Sequence, residues 1–596
     1  MFTLQRLLNL LSTKEKKDAL LLLFMVLIMA ILDLIGIASI MPFIFILTNP
    51  DIIESNQILF QIYNFSKKYG VTSSDDFLII MGITVFLLLL FSLFFKSITF
   101  HTQIRFSLMR EYTIGKRLVD IYLSQEYSWF LNKNSSTLGK NILSEVDHII
   151  THGIQPMIHF FVQLIVVFSI LLFLIMINTL VALSSLIILG LSYTFIYLFI
   201  RKLLNDIGKK RVKFNEKRYS VVNESFGGIK EVKFNRLENF YLEKFSNSAE
   251  KFSKFHALGG TLWQIPRYFV EAIAFGGIIL SILYFMSWGK DFNSILPIIV
   301  VYAVAGYRLM PALNLIYIAI TKLKLVGPTL DIVHNHLRLK KSQQRYEIDN
   351  KFIYKKSLNL INIEYKYPES EKPVLRNINI IIPAKSKIGI IGPTGSGKTT
   401  LVDIILGILK AQKGVIEVDE KIIDNNNISS WQNLIGYVPQ FIYLSDDSIA
   451  ANIAYGSYKS DFDQEKIENV ARISQIHDFI TNQLPDKYET NVGERGVRLS
   501  GGQRQRIGLA RALYRNPKII VLDEATSALD SMTENDVLRA IDENNLDTTI
   551  IAIAHRLSTI KNYDQIYYLE DGEIKAKGTY KYLINSNNNI GEDLLD

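Results

Sequence analysis

Residues 392 to 399 read Gly-Pro-Thr-Gly-Ser-Gly-Lys-Thr, which places three glycines, a lysine and a hydroxyl in the order that phosphate chemistry requires. Gly392, Gly395 and Gly397, with Pro393, Thr394 and Ser396 between them, let the backbone curl so that successive amides point at phosphate oxygens. Lys398 then reaches the β- and γ-phosphates, Thr399 offers its hydroxyl to Mg²⁺, and Thr400 opens a helix whose positive end adds to the field. A second group completes the chemistry. The apolar run Ile519 to Leu522 ends in Asp523 and Glu524, and an open α/β sheet binds its ligand at such strand ends. Asp523 suits support of Mg²⁺, and Glu524 can polarise the water that attacks the γ-phosphate.

These residues need a sheet to hold them. An apolar strand, Lys387 to Ile391, leads into the glycine-rich loop, and a helical pattern from Thr400 to Leu409 leads out. Around them, β-rich runs at Leu358 to Tyr365, Ile378 to Ile382, Val415 to Val418 and Thr549 to Ile553 alternate with helical stretches. Residues 357–596 are therefore expected to form an α/β ATP-binding domain.

The other half of the 596-residue chain has a different character. Six apolar runs lie at about 20–47, 76–96, 158–178, 180–201, 264–287 and 294–321, each close to or beyond the roughly 20 residues that cross a bilayer. The first run is too long for a secretory signal and lacks its cleavage site. The net charge of +8 follows the membrane pattern. Lys14, Lys16 and Lys17 precede the first run, Arg105, Arg110, Lys116 and Arg117 follow the second, Arg201, Lys202 and Arg211 follow the fourth, and Lys322 and Lys324 follow the sixth. By the positive-inside rule both termini and the phosphate loop face the cytoplasm of a multi-pass inner (plasma) membrane protein. The charge thus reads as topology, and no nucleic-acid partner is expected. The absence of cysteine excludes disulfides, thiolate catalysis and cysteine-based metal sites.

Residues 1–335 are expected to be an all-α transmembrane domain of six spans whose helices continue far into the cytosol, with 336–356 as a linker. The first 18 residues are amphipathic, with Leu4, Leu7, Leu8 and Leu11 on one face, as in a segment lying on the membrane surface. Ile58, Ile62 and Phe65, with Leu59 and Tyr63 beside them, form a short amphipathic pattern on the outer side. Within the spans, Arg308 sits near mid-membrane, where an arginine costs about 3 kcal/mol on insertion scales and so calls for a polar cavity or an ion pair. Arg267 and Glu271 stand one turn apart on the fifth span, and Asp33 lies inside the first.

The chain resembles the ATP-binding cassette proteins. Leu499-Ser500-Gly501-Gly502-Gln503 looks like their signature motif, Gln440 in Val438-Pro439-Gln440 their Q-loop, Ser527 to Asp530 their D-loop and His555 in Ala554-His555-Arg556 their switch histidine. Tyr367 stands where the family keeps its adenine-stacking aromatic, and Thr490 to Gly496 resembles the exporter X-loop. Six spans followed by one cassette resembles an exporter half-transporter. That resemblance implies a homodimer whose two ATP sites are composite: Ser500, Gly501, Gly502 and Gln503 of one protomer close on the γ-phosphate bound by the other, while His555 and Gln440 sense it. It also implies coupling helices near Asn132 to Thr137 and Glu224 to Phe234. Within exporters, Tyr307 to Pro311, Ile265 to Arg267 and the outer amphipathic segment are similar to the PglK-type flippases of lipid-linked oligosaccharides. On that likeness Arg308 and Arg267 would face an anionic head group. A lipid, drug or peptide exporter of the same architecture is the alternative, and an ATP-gated channel or regulator a further one.

Overall fold

The computed structural model describes residues 2–48, 53, 57–67, 73–177, 179–287, 292–341, 353–368, 370–523, 547–554 and 560–585, although not every side chain within the membrane helices. The chain clusters into two compact units, one comprising residues 1–123 and 133–340, the other 124–132 and 341–596.

The first unit is helical. Its elements are α1 (Phe2–Leu10), α2 (Thr13–Thr48), α3 (Gln57–Lys67), α4 (Ser74–Leu123), α6 (Ser135–Lys140), α7 (Gln155–Ile177), α8 (Thr179–Gly227), α9 (Ile229–Phe234), α10 (Glu238–Leu262), α11 (Ile265–Ser287), α12 (Phe292–Leu325) and α13 (Gly327–Leu337), while α5 (Tyr127–Phe130) falls in the second unit. Among the described residues, three helical stretches within Ser74–Leu123, Ser135–Leu172 and Leu186–Gly227 are long and apolar enough to cross a membrane, and a bent pair, Leu309–Leu325 with Gly327–Leu337, passes the same test as one span. The expected first and fifth spans lie on α2 and α11. Large apolar side chains such as Phe94, Phe195 and Phe199 stand exposed on these helices, the surface a lipid phase requires. As the sequence indicated, α4 and α8 run on without a break for 50 and 49 residues.

Helix α1 departs from expectation. Its apolar face is turned inward: Leu7, Leu10 and Leu11 are buried, Arg117 of α4 donates to the Leu10 carbonyl, and Arg6 pairs with Asp331 of α13. That face covers the helix bundle rather than lipid. Beyond α6 the chain winds as π-helix at Asn141–Glu145 and again at Ile150–Ile154. The first wide turn brings Glu145 fully inside, where Arg211 Nη1 reaches its Oε2 at 3.0 Å and Asn215 Nδ2 its Oε1 at 2.9 Å.

The second unit is built on two sheets. Strands β1 (Ser357–Tyr365), β2 (Leu375–Pro383), β4 (Lys413–Val418) and β5 (Lys421–Ile422) form an antiparallel sheet in the order β2-β1-β4-β5. Strands β3 (Lys387–Ile391), β6 (Ile435–Val438), β7 (Ile519–Asp523), β8 (Thr549–Ile553), β9 (Gln565–Glu570) and β10 (Glu573–Gly578) form the larger sheet in the order β10-β9-β3-β8-β7-β6, parallel except for β10. Its inner strands β7 and β8 are buried at every position, as a parallel sheet covered on both faces demands. One core fills the space between the sheets around α14 (Lys398–Ile405) and Trp431, whose indole N–H donates to the Ile405 carbonyl at 2.8 Å. On the far face the cover includes α16 (Ile449–Ile453), α17 (Gln464–Ile473), α18 (His477–Gln483) and α19 (Gly501–Tyr514), with α15 (Ile428–Gln432) carrying Trp431 on the near side. Helix α14 stops four residues short of the expected Leu409 because the chain turns at Gly407, where φ is 66° and a side chain would overlap Ile428.

Candidate active site

Strand β3 ends at Ile391, and the glycine-rich loop begins with the next residue. Gly395 and Gly397 take φ of 84° and 104°, a region that other residues avoid. A Cβ at Gly397 would stand 2.8 Å from Leu375, and one at Gly392 would overlap the Leu569 carbonyl, so the loop is a backbone cradle with no room for side chains there. Inside it Lys398 is buried and donates to the carbonyls of Gly392 at 2.8 Å and Pro393 at 2.9 Å. The Ser396 hydroxyl is buried without a hydrogen-bond partner among the described residues. A buried ammonium set within a backbone cradle, beside a buried hydroxyl with no partner among the described residues, fits a phosphate group. Thr399 is exposed at the mouth of the cradle.

The next residue has a different duty. Thr400 is buried, and its hydroxyl lies 3.1 Å from the hydroxyl of Tyr367, whose ring meets Tyr365 edge-on at 5.1 Å. The sequence places Thr400 among the nucleotide-binding residues, and the structure adds a contact from its hydroxyl to that of Tyr367.

The sheet register brings the remaining groups to one edge. Ile390 of β3 pairs with Ile553 of β8, Asp523 of β7 with the same Ile553, and Leu522 with Val438 of β6. Asp523 is buried and accepts from the Tyr437 hydroxyl at 3.3 Å. Asp403, on α14, is a carboxyl the sequence did not single out. Burial, and then the charge of Asp523, push it up to about 6. Gln440 stands exposed two residues beyond β6. Glu524 directly follows Asp523 in the chain and His555 comes two residues after Ile553, and both lie outside the described residues. Among the described residues no cluster of three His, Asp or Glu gathers. A Mg²⁺ ion here would rely on Thr399, Asp523, Gln440 and phosphate oxygens, the donor set that Mg²⁺ accepts.

Ser500 caps α19. Its hydroxyl accepts from the Gln503 amide at 3.2 Å while the Gln503 side chain accepts from the Ser500 amide at 2.8 Å, a closed capping box. Ser500 and Gly501 are exposed, so the positive end of a 14-residue helix is presented outward. Gly502 and Gln503 sit beside them, half-buried. Arg504 ties this end to the preceding loop through the carbonyls of Leu499 at 2.9 Å and Gly496 at 3.3 Å.

Two short helices flank the first expected coupling stretch, α5 before it and α6 overlapping its end. The four-residue α5, Tyr127–Phe130, lies ahead of Asn132 to Thr137, and residues 124–132 cluster with the ATP-binding unit. Burial raises the Tyr127 hydroxyl above its usual range, and the charges of Asp403 and then Tyr367 add to the effect. In the second expected stretch, Glu224 to Phe234, the short helix α9 follows Gly228.

In the membrane unit, Arg267 Nε donates to Glu271 Oε1 at 2.6 Å, one turn apart on α11, with the arginine more than half exposed. The side chains of Arg308 and Asp33 lie outside the described ones, although α12 and α2 carry their backbones.

With that geometry in view, known proteins offer a comparison. Residues 23–288 match the ABC transporter transmembrane region, and residues 375–527 match the ABC transporter family. An ATP-dependent lipid A-core flippase of Cupriavidus pinatubonensis is 31% identical over 392 residues, 62% of each chain. Its counterpart in Salmonella typhimurium is 42% identical over 227 residues, 38% of this chain and 39% of that one. A putative export ATP-binding/permease protein of Rickettsia bellii is 32% identical over 64% of this chain and 66% of its own. The chain therefore spans between about two fifths and two thirds of the curated relatives it matches. A bacterial Atm1-family ABC exporter solved with ATP bound superposes with a TM-score of 0.76 at 20% identity, covering 97% of both chains, which establishes the fold.

Proposed function

We propose that this fused member of the ABC transporter family, with membrane region and ATP-binding region in one chain, is an ATP-driven flippase that moves an anionic, sugar-bearing lipid from the cytoplasmic to the outer leaflet. The observation that carries the proposal is the phosphate cradle, with Lys398 and the Ser396 hydroxyl buried inside it, in a chain that also supplies membrane-crossing helices. Lys398 neutralises the β- and γ-phosphates, and Tyr367, braced by Thr400, stacks on adenine. Bound Mg²⁺ offsets phosphate charge. Glu524 polarises the attacking water, while His555 and Gln440 orient the γ-phosphate. Ser500 and the α19 end close the site from a second copy, so the working form is a homodimer. Hydrolysis breaks the bond to the γ-phosphate and reopens the pair.

The lipid-linked oligosaccharide class is favoured by Arg267 on α11, by the Tyr307 to Pro311 stretch and by the outer helix α3. Leu59 of that helix packs inward beside Phe77, while Phe60, Ile62 and Phe65 stay exposed, an apolar surface suited to a long lipid tail. The names of the relatives favour a lipid A-type glycolipid, the second reading. Reconstituted vesicles separate them: ATP-dependent movement of a polyprenyl pyrophosphate-linked glycan, a lipid A-type glycolipid, a plain phospholipid and a peptide are compared. Movement of the pyrophosphate-linked glycan supports the first reading, and movement of the lipid A-type glycolipid alone replaces it with the second. Movement of the peptide alone overturns both.

A further inference from the structure

The loop after Gln440 is fastened to the helix that presents Ser500 directly at Ile442 and Tyr443, and at Ser445 through Asn452. Gly508 of α19 is buried against Ile442: a Cβ there would overlap Ile442 Cδ1 and come to 3.2 Å from both its γ-carbons. Arg511, one turn further along the same helix, donates through Nη1 to the Tyr443 carbonyl at 2.8 Å. Its Nε and Nη2 reach the carbonyl and side chain of Asn452 at 2.8 and 3.1 Å, and the guanidinium covers the Tyr455 ring at 4.5 Å. Asn452 is fully buried and in turn holds the Ser445 amide and carbonyl, each at 3.0 Å. A planar fork bonded on three sides and a glycine interdigitated with an isoleucine leave little slack. Gln440 stands exposed at the start of this pinned stretch, and Ser500 stands exposed at the tip of the helix to which it is pinned.

We propose that Gly508, Ile442 and Arg511 are positioning residues that make the loop after Gln440 and the signature helix move as one piece. Displacement of Gln440 at one γ-phosphate thereby re-aims Ser500 toward the site it shares with the second copy. The grip lies about 12 to 16 Å along α19 from Ser500, so it turns the helix as a whole rather than bending its tip. This link rests on the proposed homodimer with shared ATP sites.

The test uses the full-length chain in lipid nanodiscs. Because the sequence has no cysteine, Tyr458→Cys, at an 81% exposed position, takes a single spin label. In a Glu524→Gln background the label-to-label distance is measured with and without MgATP, and ATPase turnover is measured without that background. Gly508→Ala is expected to abolish the ATP-driven change in distance and to lower kcat about tenfold, with binding of a fluorescent ATP analogue unchanged. Adding Ile442→Val, which removes the overlapping Cδ1, is expected to restore both to within about twofold. If Gly508→Ala fails to fold, Arg511→Lys, which keeps the charge and loses the fork, is expected to give the same loss. A normal distance change in the folded single variant, or a double variant no better than the single, overturns the link alone. A parent protein with no ATP-driven change overturns the homodimer reading, and the link with it.

Discussion

The Tyr437 hydroxyl donates to Oδ2 of Asp523 across 3.3 Å, joining the strand that leads to Gln440 with the strand that ends in the carboxylates. A hydrogen bond from a neutral donor to a carboxylate contributes about 1.5 to 3 kcal/mol and helps to orient that carboxylate toward a cation. Tyr437→Phe is therefore expected to raise the Mg²⁺ concentration giving half-maximal ATPase activity by about threefold to tenfold, with a melting temperature close to that of the parent. A Mg²⁺ titration at saturating ATP reads it. An unchanged titration would mean that Asp523 is oriented by other partners.

Thr400 braces Tyr367, so its loss should appear in nucleotide affinity rather than in turnover. Thr400→Val keeps the shape and removes the hydroxyl. KM for ATP is expected to rise about threefold while kcat holds, the pattern of an interaction made equally in ground and transition states. A fall in kcat at constant KM would instead place Thr400 in the chemical step.

Asp403 carries a pH signature with a definite sign. Its ordinary carboxyl value is 3.8, and in the folded chain it is pushed up to about 6. Between those values the folded protein holds a proton that the unfolded chain has lost. Stability thus falls as pH rises through this window, and the penalty is complete above about pH 6. Asp403→Asn is expected to raise the melting temperature of the nucleotide-free protein at about pH 7.5, with the gain shrinking toward about pH 5. A gain of the same size at both pH values would remove the carboxylate as its cause.

The buried Glu145 and Arg211 pair should punish single changes most. Arg211→Ala leaves the Glu145 carboxylate inside with Asn215 still donating to it at 2.9 Å, and breaking such a pair from one side costs about 3 to 5 kcal/mol. The double variant Glu145→Gln with Arg211→Met is expected to melt above Arg211→Ala. Thermal unfolding in detergent compares them, and a double variant that melts lowest would show that the charges themselves are needed.

The catalytic vocabulary was legible because phosphate chemistry forces residue types into fixed short spacings: the cradle, the Asp523 strand and the Ser500 cap needed no tertiary knowledge. Strands β1, β2, β3, β4, β7 and β8 announced themselves as β-branched runs. Strand β6 did not, because it is four residues long and includes Gly436, which is small because the Ala512 carbonyl would stand 2.8 Å from a side chain there. The partners of the motif residues were also hidden. Tyr437 meets Asp523 only through sheet order, Asp403 is distinguished only by its burial, and Arg511 finds Asn452 59 positions away. The wide turn that ends at Glu145 was invisible for the same reason: its carboxylate meets Arg211, 66 positions away. The inward face of α1 could not be told from a lipid-facing one, since protein core and acyl chains select the same leucines.

Helix α4 runs unbroken for 50 residues, about 75 Å, from the outer edge of the expected second span to a point where only three residues separate it from α5. A stiff beam of that length trades angle for reach. A tilt of about 5° at its inner end sweeps the outer end through about 6 Å, more than the breadth of a hydrocarbon chain. On the flippase function proposed above, a tilt of a few degrees at one end of α4 would be large enough, at its other end, to part or seal a passage for a lipid tail.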